Sequence, residues 1–191
     1  MKQAWVAGLL GVACLAMVRC ADAPAAGAVT SPSALGGTHA SAEITGSHGI
    51  PISPVLGSGW GVVNVSPTAS APGFSAQIEV SVRGVQPNTS LYVQRAPEIG
   101  RPLSADGRCQ RAAGLSPWGP PTPNFVTFPG PDPGSLANLV TSAGGSGTVH
   151  LDFGAPGIAD GTRFDVMFRL VDALNAPTID LRSACFTVDV K

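Results

Sequence analysis

Between Leu115 and Ser135 the chain sets Trp118, Phe125 and Phe128 among Pro117, Pro120, Pro121, Pro123, Pro129, Pro131 and Pro133. Proline holds such a segment extended and stiff, which lowers the entropy of displaying aromatic faces. An exposed indole stacks on a sugar ring or on a partner's chain. Trp118, Phe125 and Phe128 are therefore the candidate ligand-binding residues, with an envelope protein or a glycan as partner. The competing role for Trp118 is a lid over the open end of a β-sandwich, with the prolines discouraging edge pairing.

Elsewhere the chemical inventory is thin. The histidines are His39, His48 and His150, and the first two sit in a stretch with nothing to orient an imidazole. His150 falls two residues before Asp152, so on a strand the two share a face about 7 Å apart. A metal would need further ligands from other strands, and no other histidine lies nearby to supply one, which favours a surface pair. Asp160, Asp165, Asp172 and Asp180 follow no calcium-loop spacing and read as a solvated acidic rim. The chain has no Gly-x-Ser-x-Gly elbow, phosphate-binding glycine loop or paired-Cys zinc motif. The sequence thus assigns no catalytic residue, no metal and no cofactor. The rival expectation is an extracytoplasmic enzyme or accessory subunit acting on cell-surface carbohydrate, with scattered Asp and Glu brought together only by the fold.

Formal net charge is −1 and only 12% of residues are charged, which argues against a nucleic-acid partner. Arg95, Arg101, Arg108 and Arg111 lie close in sequence, but Glu98 and Asp106 interrupt them, as in a solvated loop.

The elements that must position these residues are strands. Ile78, Val80 and Val82 alternate with Gln77, Glu79, Ser81 and Arg83, the period-2 pattern of a half-buried strand. Gly84 to Thr89 supplies a turn, with Pro87 presetting φ and Asn88 tolerating the left-handed region. The same alternation predicts strands over 90–95, 147–153, 163–171 and 184–190, with shorter candidates over 61–65, 124–128 and 177–181. Residues 134–140 allow one helical turn. Seven or eight strands without alternating helices predict an all-β, antiparallel sandwich.

Val85-Gln86-Pro87-Asn88-Thr89-Ser90-Leu91-Tyr92-Val93 resembles the turn-and-strand segment of fibronectin type III and related immunoglobulin-like domains, with Leu91 where those domains carry Tyr. The resemblance implies an immunoglobulin-like sandwich and leaves function open.

At the N-terminus, Lys2 precedes an apolar run from Ala4 to Val18, too short for an ordinary membrane span and followed by small residues. This is the pattern of an export signal. Met17-Val18-Arg19-Cys20 resembles the lipobox of exported bacterial lipoproteins, except that Arg19 replaces the small residue before the cysteine. That resemblance implies acylation of Cys20 and a lipid anchor as the route to a membrane. An ordinary signal-peptidase cut after Ala25, Ala26 or Ala28 is the alternative, giving a secreted or periplasmic protein. The expected organisation is a signal over 1–20, a disordered Ala/Gly/Ser/Pro-rich tether over 21–57, and a β-sandwich over 58–191. Ile44, Ile50 and Ile52 offer an added edge strand within the tether. Removal of the signal and acylation of Cys20 leave Cys109 and Cys185, which an oxidising compartment should bridge. Alternation puts Cys185 on the face opposite Phe186, Val188 and Val190, so the bridge should pin a loop to the outside of the sheet.

Overall fold

The computed structural model describes residues 43–44, 48–68, 73–119 and 124–190. Period-2 alternation carries most of them into β1 (Glu43–Ile44), β2 (His48–Leu56), β3 (Trp60–Pro67), β4 (Phe74–Arg83), β5 (Ser90–Arg95) and β6 (Val126–Thr127). The second half adds β7 (Asn138–Val140), β8 (Gly147–Ala155), β9 (Arg163–Val166), β10 (Phe168–Val171), β11 (Asp180–Ser183) and β12 (Phe186–Asp189). No helix occurs among the described residues. The protein is all-β.

One long sheet runs in the order β6-β5-β10-β11-β2-β3-β4-β8, and β7 pairs with β5 beside β6. A smaller sheet joins β1, β12 and β9. All these pairings are antiparallel except that of β1 with β12. The long sheet curls until its two ends meet. A Cβ on Gly147 of β8 would lie 2.6 Å from Leu139 Cδ2 and 2.8 Å from the Val140 carbonyl oxygen of β7. Only glycine fits that approach. The inward faces of β3, β4, β5 and β10 then fill the interior, with Val63, Val80, Leu91, Val93 and Leu170 wholly buried. Asn88 takes φ 53° in the turn before β5, the left-handed geometry its short polar side chain tolerates.

The boundary at residue 57 is corrected. β2 is a nine-residue strand lying between β3 and β11, so the ordered body includes His48–Leu56. The Ala/Gly/Ser/Pro-rich composition of the stretch hid it, and its Pro51 and Pro54 are unexpected in a central strand, where proline removes a ladder hydrogen bond. The strand resolves the conflict by changing partners. Residues 48–52 pair with β3, whereas 52–56 pair with β11 across an irregularity near Asp180 and Leu181. Each proline therefore stands where the strand is bonded on one side only. Residues 21–42, the signal segment and Cys20 lie outside the described residues.

Two smaller differences follow from tertiary pairing. Residues 138–140 extend along β5 as β7 and form no helical turn, since the free edge of β5 offers them a ladder. The strand expected over 163–171 breaks at Met167 into β9 and β10, and the last hairpin bends there to serve both sheets.

Candidate functional site

Where the hairpin bends, the interior is incompletely filled. A cavity of about 190 Å³ lies there. Val65, Phe74 and Ile78 form one wall, Phe153, Ala155 and Ile158 a second, and Phe164, Val166, Phe186 and Val188 a third. Rings dominate it. Phe128 and Phe168 stack with centroids 5.8 Å apart, as do Phe168 and Phe186, while Phe128 and Phe153 meet edge to face at 5.4 Å. Rigid rings meeting at fixed angles leave such a gap more readily than aliphatic chains, which adapt their shape.

One charged group enters this lining. Leu91 and Val93 point inward from β5, and two residues on, the same alternation aims Arg95 at the cavity. Its guanidinium carbon sits 4.2 Å from the Phe128 ring centroid and 4.3 Å from that of Phe153. The Nη1 atom is buried without a hydrogen-bond acceptor. Burial, followed by the like charge of Arg111, pulls the Arg95 pKa down to about 10, so the group stays cationic at neutral pH.

The other face of the same wall is polar. Segment 95–99 turns Arg95, Pro97 and Ile99 to the cavity and Ala96 and Glu98 away from it. β9 does likewise with Phe164 and Val166 inside and Asp165 outside. Ala96 N–H donates to the Met167 carbonyl at 2.9 Å and Glu98 N–H to that of Asp165 at 2.8 Å, which extends the small sheet by one irregular edge. Residues 100–119 cover that outer face. Cys109 and Cys185 fasten it with a disulfide, Cα to Cα 5.7 Å, among Ala96, Ala112, Phe125 and Met167.

Beneath this cover Glu98, Asp106 and Asp165 bring carboxylate oxygens within 4.8 Å of one another, and Glu98 and Asp165 are wholly buried. Chain donors already hold most of these oxygens. Asp165 accepts from Gly107 N–H and from Thr187 Oγ1, Asp106 from Arg108 N–H and Gln110 Nε2, and Glu98 Oε1 from Arg111 N–H at 2.6 Å. Glu98 Oε2 has no donor. Burial raises the Glu98 pKa to about 7, with Asp165 and Asp106 pushing the same way against the hydrogen bond and charge of Arg111. A carboxyl so placed anchors the loop and holds its proton well above the usual carboxylate range.

The residues singled out from the sequence are distributed as follows. Phe128 is buried and lines the cavity. Trp118 is 4% exposed, so no indole face is displayed; Arg101 and Arg111 lie over the ring at 5.0 and 5.2 Å. Phe125 is partly buried with Arg169 and Arg182 over it, and both arginines bind Asp180 at 2.8 Å. His150 is an exposed surface group whose Nδ1 lies 3.5 Å from Glu79. Two expectations are corrected. The solvated acidic rim fails at Asp165 and Asp180, both buried, because loop residues and two arginines satisfy them. The solvated arginine loop fails at Arg95 and Arg111, which enter the interior and the carboxylate cluster. Strand alternation could have placed Arg95 inside; no sequence signal foretold the cover over Glu98.

No protein-family model, curated protein or solved structure matches the chain.

Proposed function

We propose that this protein is an exported, non-enzymatic β module that binds a small apolar molecule inside its curled sheet. One observation carries the reading: an aromatic-walled cavity of about 190 Å³ between the curled sheet and the β9–β12 sheet. Apolar cavities near 150 Å³ stay dry and take up a benzene-sized molecule, so this one suits a single ring with a short substituent. It is too small for the drug-sized ligands that fill pockets of about 300 Å³ and above.

The export signal and a lipid anchor at Cys20 complete the proposal, giving a binding module of the cell envelope or its surroundings. An immunoglobulin-like fold is supported by the turn at 85–93 entering β5, whereas continuous pairing from β6 to β8 counts against two separate sheets. An enzymatic reading would use Glu98 and Asp165, but both are buried beneath residues 100–119, away from any substrate. Titration with 3-phenylpropan-1-ol, followed by calorimetry and NMR, tests the proposal. Saturable uptake, lost when Ala155→Leu fills the cavity, is the expected result. A wild-type protein with no saturable uptake removes the reading.

A further inference from the structure

We infer that Glu98, Asp106 and Asp165 form a calcium site beneath residues 100–119, one that ties this cover to the small sheet. The apolar cavity lies on the other face of the same wall and plays no part in it. The three carboxylates bring oxygens within 4.8 Å of one another. That spacing fits across the shell of a cation holding its oxygens at about 2.3–2.6 Å, as calcium does.

Crowded carboxylates alone would mark an acidic surface, but here buried oxygens are left without donors. Glu98 is wholly buried, and its Oε2 meets no hydrogen-bond donor. Gln110 is buried too; its Nε2 donates to Asp106 Oδ2 at 2.8 Å, while its Oε1 has no partner. A buried acceptor left unsatisfied is costly, and more so when it is ionised. The chain donors to Asp106 and Asp165 each take one lone pair, whereas an ionised carboxylate offers about four. Acceptor capacity in this cluster therefore exceeds the donors the chain supplies, and a cation is what uses it.

Charge and ligand type define the ion. Arg111 is the guanidinium acting on Glu98, and its Nη1 donates to the Pro97 carbonyl at 2.8 Å. Three carboxylates against one guanidinium leave two negative charges, which a divalent ion balances. An all-oxygen set favours calcium over zinc, which takes nitrogen and sulfur ligands. Magnesium dehydrates reluctantly and keeps several waters, whereas Glu98 and Asp165 are closed off from solvent. Exposed Asp106 leaves one side open for the ion to enter and for water to complete its shell. Without calcium, a proton on Glu98 relieves the same crowding.

The experiment titrates calcium chloride into the full mature protein, freed of divalent ions by chelation, and follows it by calorimetry and thermal melts. Saturable binding with a Kd of about 1 mM or tighter is expected, the range of extracellular modules. Calcium at about tenfold over that Kd should raise Tm by about 3 °C or more. Magnesium should bind about tenfold more weakly or not at all. Asp106→Asn, at the exposed edge, should weaken calcium binding about tenfold or more by removing a ligand charge. Asp152→Asn, an exposed acid on β8, should leave binding unchanged. A wild type without saturable calcium uptake overturns the inference, as does equal binding of magnesium. Unchanged affinity in Asp106→Asn, or an equal loss in Asp152→Asn, overturns it by placing the ion elsewhere. If Asp106→Asn does not fold, carbon-13 NMR of the wild-type side-chain carboxyls decides. Calcium must then shift Glu98, Asp106 and Asp165 together, and shifts confined to other carboxylates overturn the inference.

Discussion

Glu98 should make this protein less stable as pH rises toward neutrality, the reverse of an ordinary surface carboxylate. Its folded pKa of about 7 stands above the ordinary 4.5, because it is buried near Asp165 and Asp106. Between those two values the folded state holds a proton that the unfolded chain has released. Stability from this group is therefore complete below about pH 4.5 and lost as pH climbs through 7. At about 1.4 kcal/mol per pH unit of difference, the change amounts to roughly 3 kcal/mol. Glu98→Gln removes the charge while keeping an oxygen to accept from Arg111 N–H. The assay is urea unfolding of both proteins from pH 4 to pH 8.5, plotted as the difference between them, which cancels groups common to both. Relative to the wild type, the glutamine variant should gain about 3 kcal/mol across that window and change little outside it. A difference curve flat with pH would refute the reasoning, because Glu98 would then titrate as though water reached it and residues 100–119 did not close over it.

Further outcomes are expected. Replacing Cys109 and Cys185 together by serine should cost about 4 kcal/mol by chain entropy, read as a lower urea midpoint, and an unchanged midpoint would show that the bridge constrains nothing. A chain starting at Ser58 lacks the strand between β3 and β11 and should not unfold cooperatively, while Ile52→Ala in the full chain should cost about 2–5 kcal/mol; a well-folded short chain would return the domain boundary to residue 57. Radiolabelled fatty acid supplied to the producing cells should mark the wild type and leave Cys20→Ala unmarked, and an unlabelled wild type would end the lipid-anchor proposal.

Alternation alone was enough to read β4, β5, β8 and β12, because apolar residues line one face of each and the side-chain period of a strand is two. Ile78, Val80 and Val82 face inward, as do Leu91 and Val93. The same rule set Cys185 opposite Phe186 and Val188, and the bridge does fasten a loop to the outer face. What local pattern could not supply was the identity of neighbours. β2 looked like tether because it closes an Ala/Gly/Ser/Pro-rich stretch, and its change of partner near Ile52 is what makes its two prolines tolerable within a sheet.

The candidate site was hidden for a similar reason. Asp165 and Asp180 are spaced like surface residues, and their burial depends on a loop and on two arginines from separate strands. Arg95 sits at an inward position by counting, yet its missing partner is a fact about what surrounds it in space. Composition and periodicity determined the class of the fold, the export expectation and the pairing of two cysteines, since these depend on residue type and on neighbours along the chain. The cavity, the unpaired cation in its wall and the pKa of Glu98 were decided by tertiary structure, because desolvation and close packing depend on atoms brought together from distant segments.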